Sequence, residues 1–421
     1  MLIRFAIENF LSFAAPVAFE LTQVGAAAPS LVLLQGDSGT GKTNLLRALG
    51  FLRNLVLGGT RAGQPIAVTP CKLATGNQPT QLELTIEQSG VRYRYGCQLT
   101  RELVEREWLY TQRGEHLAGG EQLIFERARK SPLVPATSVT LGALTGEDRE
   151  ALNLAAYGVR GEQLLLCEAL RRNVKLVEPL GLWLRDRLQL LRAEAKIIGI
   201  AARCAREPAY RTFLSNLLAS AGLGIAEVTL ERRPVDPDYF ETEEEKQQVV
   251  AALTGYADGF VQTHEGEIVA EQHGRFLDLY QCNLRFVVLA ADGRRVELTP
   301  AELGDGALRL LHLSPLLYGQ SAATDEPPVY FIDELERSLQ PVLVSALLQT
   351  HLRLTRASLP KTQLIAVVRS VHAPELPALS ACQKWQLQRP SGSASAQLTR
   401  LLDETASIEN RGAGISGLLA D

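Results

Sequence analysis

Residues 31–46 read "LVLLQGDSGTGKTNLL", an apolar run, a glycine-rich turn ending in Lys-Thr, and a second apolar run. No other stretch restricts the fold as much. Its centre fits G-x-x-x-x-G-K-[ST], with Gly36, Gly41, Lys42 and Thr43 in register, and its flanks predict the strand before and helix after that such a loop requires. Glycines let the backbone wind so that its N–H groups point inward, and the helix starting near Lys42 adds the positive end of its dipole. That arrangement suits phosphate oxygens. Gly36, Asp37, Ser38, Gly39, Thr40, Gly41, Lys42, Thr43 and Asn44 therefore form the candidate nucleotide-binding set. Lys42 is expected to reach the β- and γ-phosphates, and Thr43 to offer its hydroxyl to Mg²⁺, a cation that prefers oxygen ligands. The competing reading is an ordinary glycine turn between strand and helix.

At 421 residues the chain exceeds one compact core of usual size, which predicts two lobes or one domain with insertions. Apolar residues make up 46% and charged residues 21%, the balance of a soluble globular protein. A net charge of −4 provides no global basic field for nucleic acid or an anionic membrane. The cysteines at 71, 97, 167, 204, 282 and 382 lie far apart with no C-x-x-C pair, which argues against a zinc site or a disulfide framework and fits a reducing cytoplasm. The start, "MLIRFAIENFLSF", carries Arg4, Glu8 and Asn9 and is too broken for a signal peptide or a membrane span, so it reads as the first strand.

Along the chain, "LIRFAIENF", "VAFEL" and "LVLLQ" predict strands, and "TNLLRALGFLRNLVLG" predicts the helix after the loop. From Gln81 to Leu109 apolar and polar residues alternate around a turn at Ser89-Gly90, the pattern of an antiparallel hairpin or meander. Residues 114–148, with Gly119-Gly120, Pro132 and Pro135, read as connecting structure. "EQLLLCEALRRNVKLVEPLGLWLRDRLQLLRAE" and "YRTFLSNLLASAGL" have helical spacing and predict a helical insertion, while the acid-rich "VDPDYFETEEEKQQ" reads as a solvated loop. The basic stretches "RRNVK" and "RDRLQLLR" read as an exposed helix face, with contact to nucleic acid phosphate as the alternative. Strands return in "RFLDLYQCNLRFVVLAADGRRVEL", with a hairpin turn at Asp292-Gly293. A helix over "LRLLHLSPLLYG", the strand "PVYFID", the helix "QPVLVSALLQTHLRL" and the strand "TQLIAVV" then predict an α/β lobe. The expected domains are 1–135 (phosphate loop and antiparallel sheet), 136–270 (helical insertion) and 271–421 (second half of the α/β lobe).

Phosphoryl transfer is mostly positioning and charge stabilisation, so a phosphate loop needs a second, acidic element to hold Mg²⁺ and orient water. "VYFIDELERSLQP" supplies it: four apolar residues form a buried strand, and Asp333 emerges at its carboxyl end, where open α/β sheets place ligands. Asp333 is the expected Mg²⁺ partner, and Glu334 the residue that accepts the proton of the attacking water or polarises it.

Taken together, "FAIENFLSF", "GDSGTGKTNLL", "YRYG", "GDGALRLL" and "FIDELERSLQP" resemble the ABC-type ATPases of the SMC/RecF/OLD group. Within it they look most like compact prokaryotic AAA-type ATPases that stand alone or serve anti-phage defence systems, those of the PARIS type among them. The resemblance runs from Leu2 to about Trp385 and implies a P-loop NTPase of α/β class with an ABC-type head, an antiparallel β subdomain and a helical insertion. It implies two heads facing each other, each ATP closed by a signature turn from the opposite head; "AELGDGALRLL" matches that turn, with Gly304, Asp305, Gly306 and Arg309. Gly306 and the helix N-terminus would then contact γ-phosphate across the dimer, whereas a plain helix start capped by Asp305 is the competing view.

Three departures from the family pattern stand out. Gly304 replaces a serine and removes a hydroxyl, Gln340 replaces a histidine in "SLQP", and Arg369 stands where a histidine is expected after the last strand. His372 follows three residues later and could take that place if the turn is offset. A guanidinium neutralises γ-phosphate but cannot shuttle a proton, so binding should survive better than turnover. The candidate catalytic set is Glu334, Lys42 and Arg369, with ATP and Mg²⁺ as cofactors. The resemblance further implies a cytoplasmic protein with no membrane contact, at least a head-to-head dimer, whose nucleotide-driven association controls a separate effector such as a nuclease. An ATP-binding scaffold with little turnover and a RecF-like DNA-repair ATPase are the alternatives. An OLD-type nuclease in the chain itself would need a further acidic domain, and the residues after Trp385, with Asp403, Glu404 and Glu409, are too few for one.

Overall fold

The computed structural model describes residues 1–22, 28–74, 76, 78–113, 120–131, 134–193, 198–254, 259–273, 276–318, 327–357, 362–369, 382–390, 393 and 395–401. The chain divides into two compact units, one of Met1–Ala193, Ser321–Leu335 and Leu352–Asp421, the other of Glu194–Gln320 and Glu336–His351.

The first unit contains two sheets. Seven antiparallel strands run in the order β2-β1-β4-β5-β6-β7-β8, comprising β1 (Leu2–Glu8), β2 (Val17–Glu20), β4 (Thr80–Gln88), β5 (Val91–Leu99), β6 (Val104–Arg113), β7 (Gln122–Ser131) and β8 (Val134–Leu141). The β4–β5 turn at Ser89-Gly90 has positive φ at both residues, as a tight hairpin demands. The second sheet has the order β18-β17-β3-β16-β15-β9, from β3 (Leu31–Gln35), β9 (Leu188–Leu191), β15 (Val329–Ile332), β16 (Gln363–Val368), β17 (Gln383–Gln388) and β18 (Gln397–Leu401). All of its pairings are parallel except β17–β18. β15 and β16 are buried along their whole length, because a parallel sheet is covered on both faces. Helices α1 (Lys42–Gly58), α2 (Gly146–Gly158), α3 (Leu165–Arg171) and α4 (Glu178–Leu182) belong to this unit. One apolar cluster joins both sheets, with Phe5, Leu34, Leu46, Leu84, Phe331 and Ile365 among its members. Phe19 of β2 packs edge-on against Trp385 of β17 at 5.2 Å between ring centroids.

The second unit is built on β10 (Ile225–Pro234), β13 (Phe276–Leu289), β12 (Glu267–His273) and β11 (Val261–Gln262), paired in that order, with β14 (Arg295–Leu298) also on β13. Helices α5 (Ile200–Arg206), α6 (Pro208–Ser220), α7 (Glu243–Thr254) and α8 (Asp305–Leu317) accompany them, and α9 (Pro341–Ala357) contributes residues to both units. Tyr210, Leu214, Phe286 and Leu310 centre its core, where the Tyr210 hydroxyl shares a 2.6 Å hydrogen bond with Ser314.

Three expectations change. Residues 114–148 are not merely connecting: they carry β7 and β8, and Pro135 is tolerated because β8 is an edge strand. Within 136–270, expected to be helical, β9 to β12 are strands. β9 (LQLL) continues a helical spacing, but its pairing with β15 decides its conformation, the ambiguity inherent in a short apolar run. The acidic stretch expected as a loop, residues 235–248, supplies the first half of α7. Thr242 Oγ1 accepts the Glu245 N–H at 3.1 Å, Glu245 accepts the Glu241 N–H at 3.0 Å, and glutamates in the first turn match the helix dipole.

Candidate functional site

The phosphate loop leaves the carboxyl end of β3 and closes on α1. Gly41, the residue before the helix, adopts φ +106°, and a Cβ there would overlap the Ser12 hydroxyl, so only glycine fits. No side chain caps α1 from that position. Asp37, Ser38 and Gly39 form an exposed crest, whereas Thr40 and Lys42 are buried. The Lys42 ammonium donates to the carbonyls of Gly36 (2.5 Å) and Asp37 (2.7 Å), and Thr40 Oγ1 donates to Asp37 O at 2.8 Å. The lysine thus lies along the inside of its own loop, with Thr43 half-buried beside it in the first helical turn.

Ser12 escapes sequence reasoning. It sits in the β1–β2 connection, where Asn9 and Leu11 both take left-handed backbone. The buried Asn9 side chain fixes this bend by donating to Gln78 O and accepting from the Cys71 N–H. The Asn44 amide then donates to Ser12 Oγ at 3.0 Å, so the N-terminal "ENFLSF" buttresses the start of α1. The available signal was the run "NFLS", in which non-glycine residues must turn sharply between two strands.

Asp333 follows β15 and is buried. Its N–H bonds Leu191 O of β9 at 2.8 Å, and its Oδ1 accepts the Glu334 N–H at 3.1 Å. Glu334 has φ +45°, an uncommon value for a side-chain-bearing residue, and the next N–H, of Leu335, is pinned to Val367 O of β16 at 3.0 Å. Arg369 follows β16. Its Nη2 and Nε both donate to Glu334 Oε1, at 2.5 and 3.2 Å. The sheet order β3-β16-β15 places the phosphate loop, Arg369 and Asp333-Glu334 at the carboxyl ends of three neighbouring parallel strands, two strand spacings or about 10 Å in all. His372 lies outside the described residues, as do Asp403, Glu404 and Glu409.

The signature-like turn belongs to the second unit. Gly304 is the extended N-cap of α8 and makes no side-chain cap; it and Asp305 are exposed, while Arg309 is buried. A Cβ on Gly306 would come within 2.9 Å of the Ser338 carbonyl oxygen, which explains glycine there. Gln340 is exposed just before α9, and its carbonyl receives the N–H groups of Leu343 and Val344.

Among the described residues, no group of three His, Cys, Asp or Glu side chains could hold a metal by itself. Thr43 offers a hydroxyl and Asp333 a buried carboxylate, oxygen donors of the kind that Mg²⁺ accepts beside substrate phosphates. No helix among the described residues is long and apolar enough to cross a membrane.

A family model described as "AAA domain, putative AbiEii toxin, Type IV TA system" matches residues 31–120 and 179–367, about two thirds of the chain. The matched stretches contain the phosphate loop, the signature-like turn, Asp333 and Glu334. No curated protein matches the chain.

Proposed function

From the premise that the chain belongs to this AAA-domain family of AbiEii type, we propose that it binds ATP with Mg²⁺, hydrolyses it slowly, and uses nucleotide-driven association of two copies to control a separate effector protein, such as a nuclease, in anti-phage defence. One observation carries the reading: three adjacent parallel strands deliver a phosphate loop, an acidic pair and a cation to one sheet edge. The family's description, which names a toxin and a type IV TA system, supports a partner chain and a defensive role. Such a role also accords with the resemblance to PARIS-type ATPases.

Lys42 and the first turn of α1 hold the β- and γ-phosphates. A water oxygen attacks the γ-phosphorus, its proton passes to the Glu334 carboxylate, and the bond from that phosphorus to the β–γ bridging oxygen breaks to leave ADP. Mg²⁺ held by Thr43 and Asp333 would supply charge neutralisation at the phosphate oxygens. Arg369 neutralises charge without moving a proton, which makes turnover slow. The α8 N-terminus at Gly304, Asp305 and Gly306 completes the γ-phosphate site of the opposite copy. A second reading, an ATP-binding scaffold with little turnover, is favoured by the occupation of Glu334 Oε1 by Arg369.

Light scattering of Glu334→Gln tests the association. With ATP and Mg²⁺ the mass should rise from one 46.0 kDa chain to two. A single-chain mass in both conditions contradicts the composite site.

A further inference from the structure

We propose that Arg369 is the residue that distinguishes ATP from ADP, and that the same guanidinium edge holds Glu334 out of use until a γ-phosphate draws it away. This rests on the ATP-site reading above. The register of the sheet provides the geometry. Val368 pairs with Gln35 of β3, so Arg369 comes level with Gly36, the first residue of the phosphate loop. On its other side β16 pairs with β15 as far as Ala366 and Ile332, and beyond that pair the Leu335 N–H bond to Val367 O holds Glu334 beside the end of β16. Arg369 therefore stands on the middle strand of three, between a phosphate cradle and a carboxylate.

In this proposal both partners compete for the same edge of the guanidinium. Nη2 and Nε converge on Glu334 Oε1, a charge-assisted contact, and that fork is one of the two edges by which a guanidinium can grip a terminal phosphate. The two pairings are thus alternatives. The two N–H donors occupy Oε1 and fix the orientation of the carboxylate, so Glu334 cannot swing to meet an attacking water while the pair holds. Once the guanidinium turns to phosphate, Glu334 becomes available as the base.

The backbone cannot relax to accommodate both partners. Glu334 is held at φ +45° by its N–H bond to Asp333 Oδ1 and by the Leu335 N–H to Val367 O, so exchange falls to the side chains. Strain of this kind concentrates at functional sites. The exchange is also easy: the Arg369 side chain is 60% exposed, and an ion pair so open to water is weak, whereas a γ-phosphate brings more charge and more acceptor oxygens. ADP ends at the β-phosphate, which Lys42 holds within the loop, and so leaves the Arg369–Glu334 pair in place.

A double-mutant cycle over Arg369→Ala, Glu334→Gln and the double variant tests this. Thermal midpoints are read without nucleotide, with Mg²⁺ and ADP, and with Mg²⁺ and the non-hydrolysable β,γ-imido analogue of ATP. Coupling between the two residues should be present in the first two conditions and vanish in the third. Calorimetry should show Arg369→Ala weakening the analogue by roughly tenfold or more while changing ADP affinity less than about twofold. Equal coupling in all three conditions, or equal loss of both nucleotides, overturns the proposal while leaving the ATP site intact. Failure of the wild-type chain to bind either nucleotide removes the underlying reading and the proposal with it.

Discussion

Helices α3 and α5 begin under carboxylates brought from distant strands, in α5 over a glycine N-cap, Gly199, whereas the glycine N-caps of α1 and α8 have no such carboxylate among the described contacts. Glu107 of β6 accepts the N–H groups of Leu165 (2.7 Å) and Leu166 (2.9 Å), and Glu267 of β12 those of Gly199 (2.5 Å) and Ala202 (2.7 Å). Both carboxylates are buried, and burial pushes both above the ordinary glutamate range despite these hydrogen bonds. At α1 and α8 the N-cap residues Gly41 and Gly304 provide no side chain at all. At the starts of α3 and α5 the chain supplies an internal carboxyl group. At the two starts proposed to meet nucleotide, the N-cap residue offers no side chain of its own.

The largest expected effect lies on the structural side of this contrast. Glu107→Ala would strand two helix N–H groups and the Tyr95 hydroxyl that donates to Glu107 at 3.0 Å, and would remove the carboxyl 4.0 Å from the Arg127 guanidinium, which keeps its bonds to Gln163 O and Arg160 O; the stranded groups and the guanidinium are all buried. Removing one member of such a buried set costs about 3–5 kcal/mol, which denaturant unfolding should register. Glu107→Gln keeps an acceptor without a charge. Because the folded Glu107 carboxyl is raised, its contribution is full below the ordinary value of 4.5 and is lost as pH rises through the folded value. The stability gap between wild type and Glu107→Gln should therefore narrow with rising pH across that window. A widening gap would show that pairing with Arg127 outweighs burial.

The smaller effect on stability lies on the nucleotide side. Gly304→Asp gives α8 an acidic N-cap and should change stability by only a few tenths of a kcal/mol. It also sets a carboxylate where γ-phosphate is proposed to dock, so ATP-dependent association of Glu334→Gln, followed by light scattering, should be lost. Association unaffected by Gly304→Asp would break the contrast, since α8 would then be an ordinary helix start.

How much of this was legible depended on the distance over which each feature is made. The β3–loop–α1 unit and "VYFIDE" are local: a strand, its turn and the residues emerging from it are contiguous, so pattern alone placed Lys42 and Thr43 at the start of α1 and Asp333 and Glu334 after β15. Ser12 was hidden because its contacts with Gly41 and Asn44 form only after β1 and β2 bring residues about thirty positions apart together. Glu107 was hidden by "EREW", where flanking charges make an inward carboxylate look solvated. β9 depends wholly on β15 for its conformation. By contrast, α7 could have been read, since Thr242 and Glu245 have capping-box spacing. The position of Arg369 after β16 was readable, but its pairing with Glu334 needed the register of two strands.

The central claim is that the loop and the acidic pair form one hydrolytic site. Steady-state phosphate release from ATP with Mg²⁺, measured on the wild-type chain and on Glu334→Gln side by side, tests it most directly. Slow but sustained release by the wild type, reduced by a factor on the order of 100 or more in Glu334→Gln, is the predicted result, since a positioned base contributes roughly 10²- to 10⁴-fold. Equal release by both chains, or none by the wild type despite tight ATP binding, contradicts it; the second outcome would make the chain a nucleotide-held scaffold.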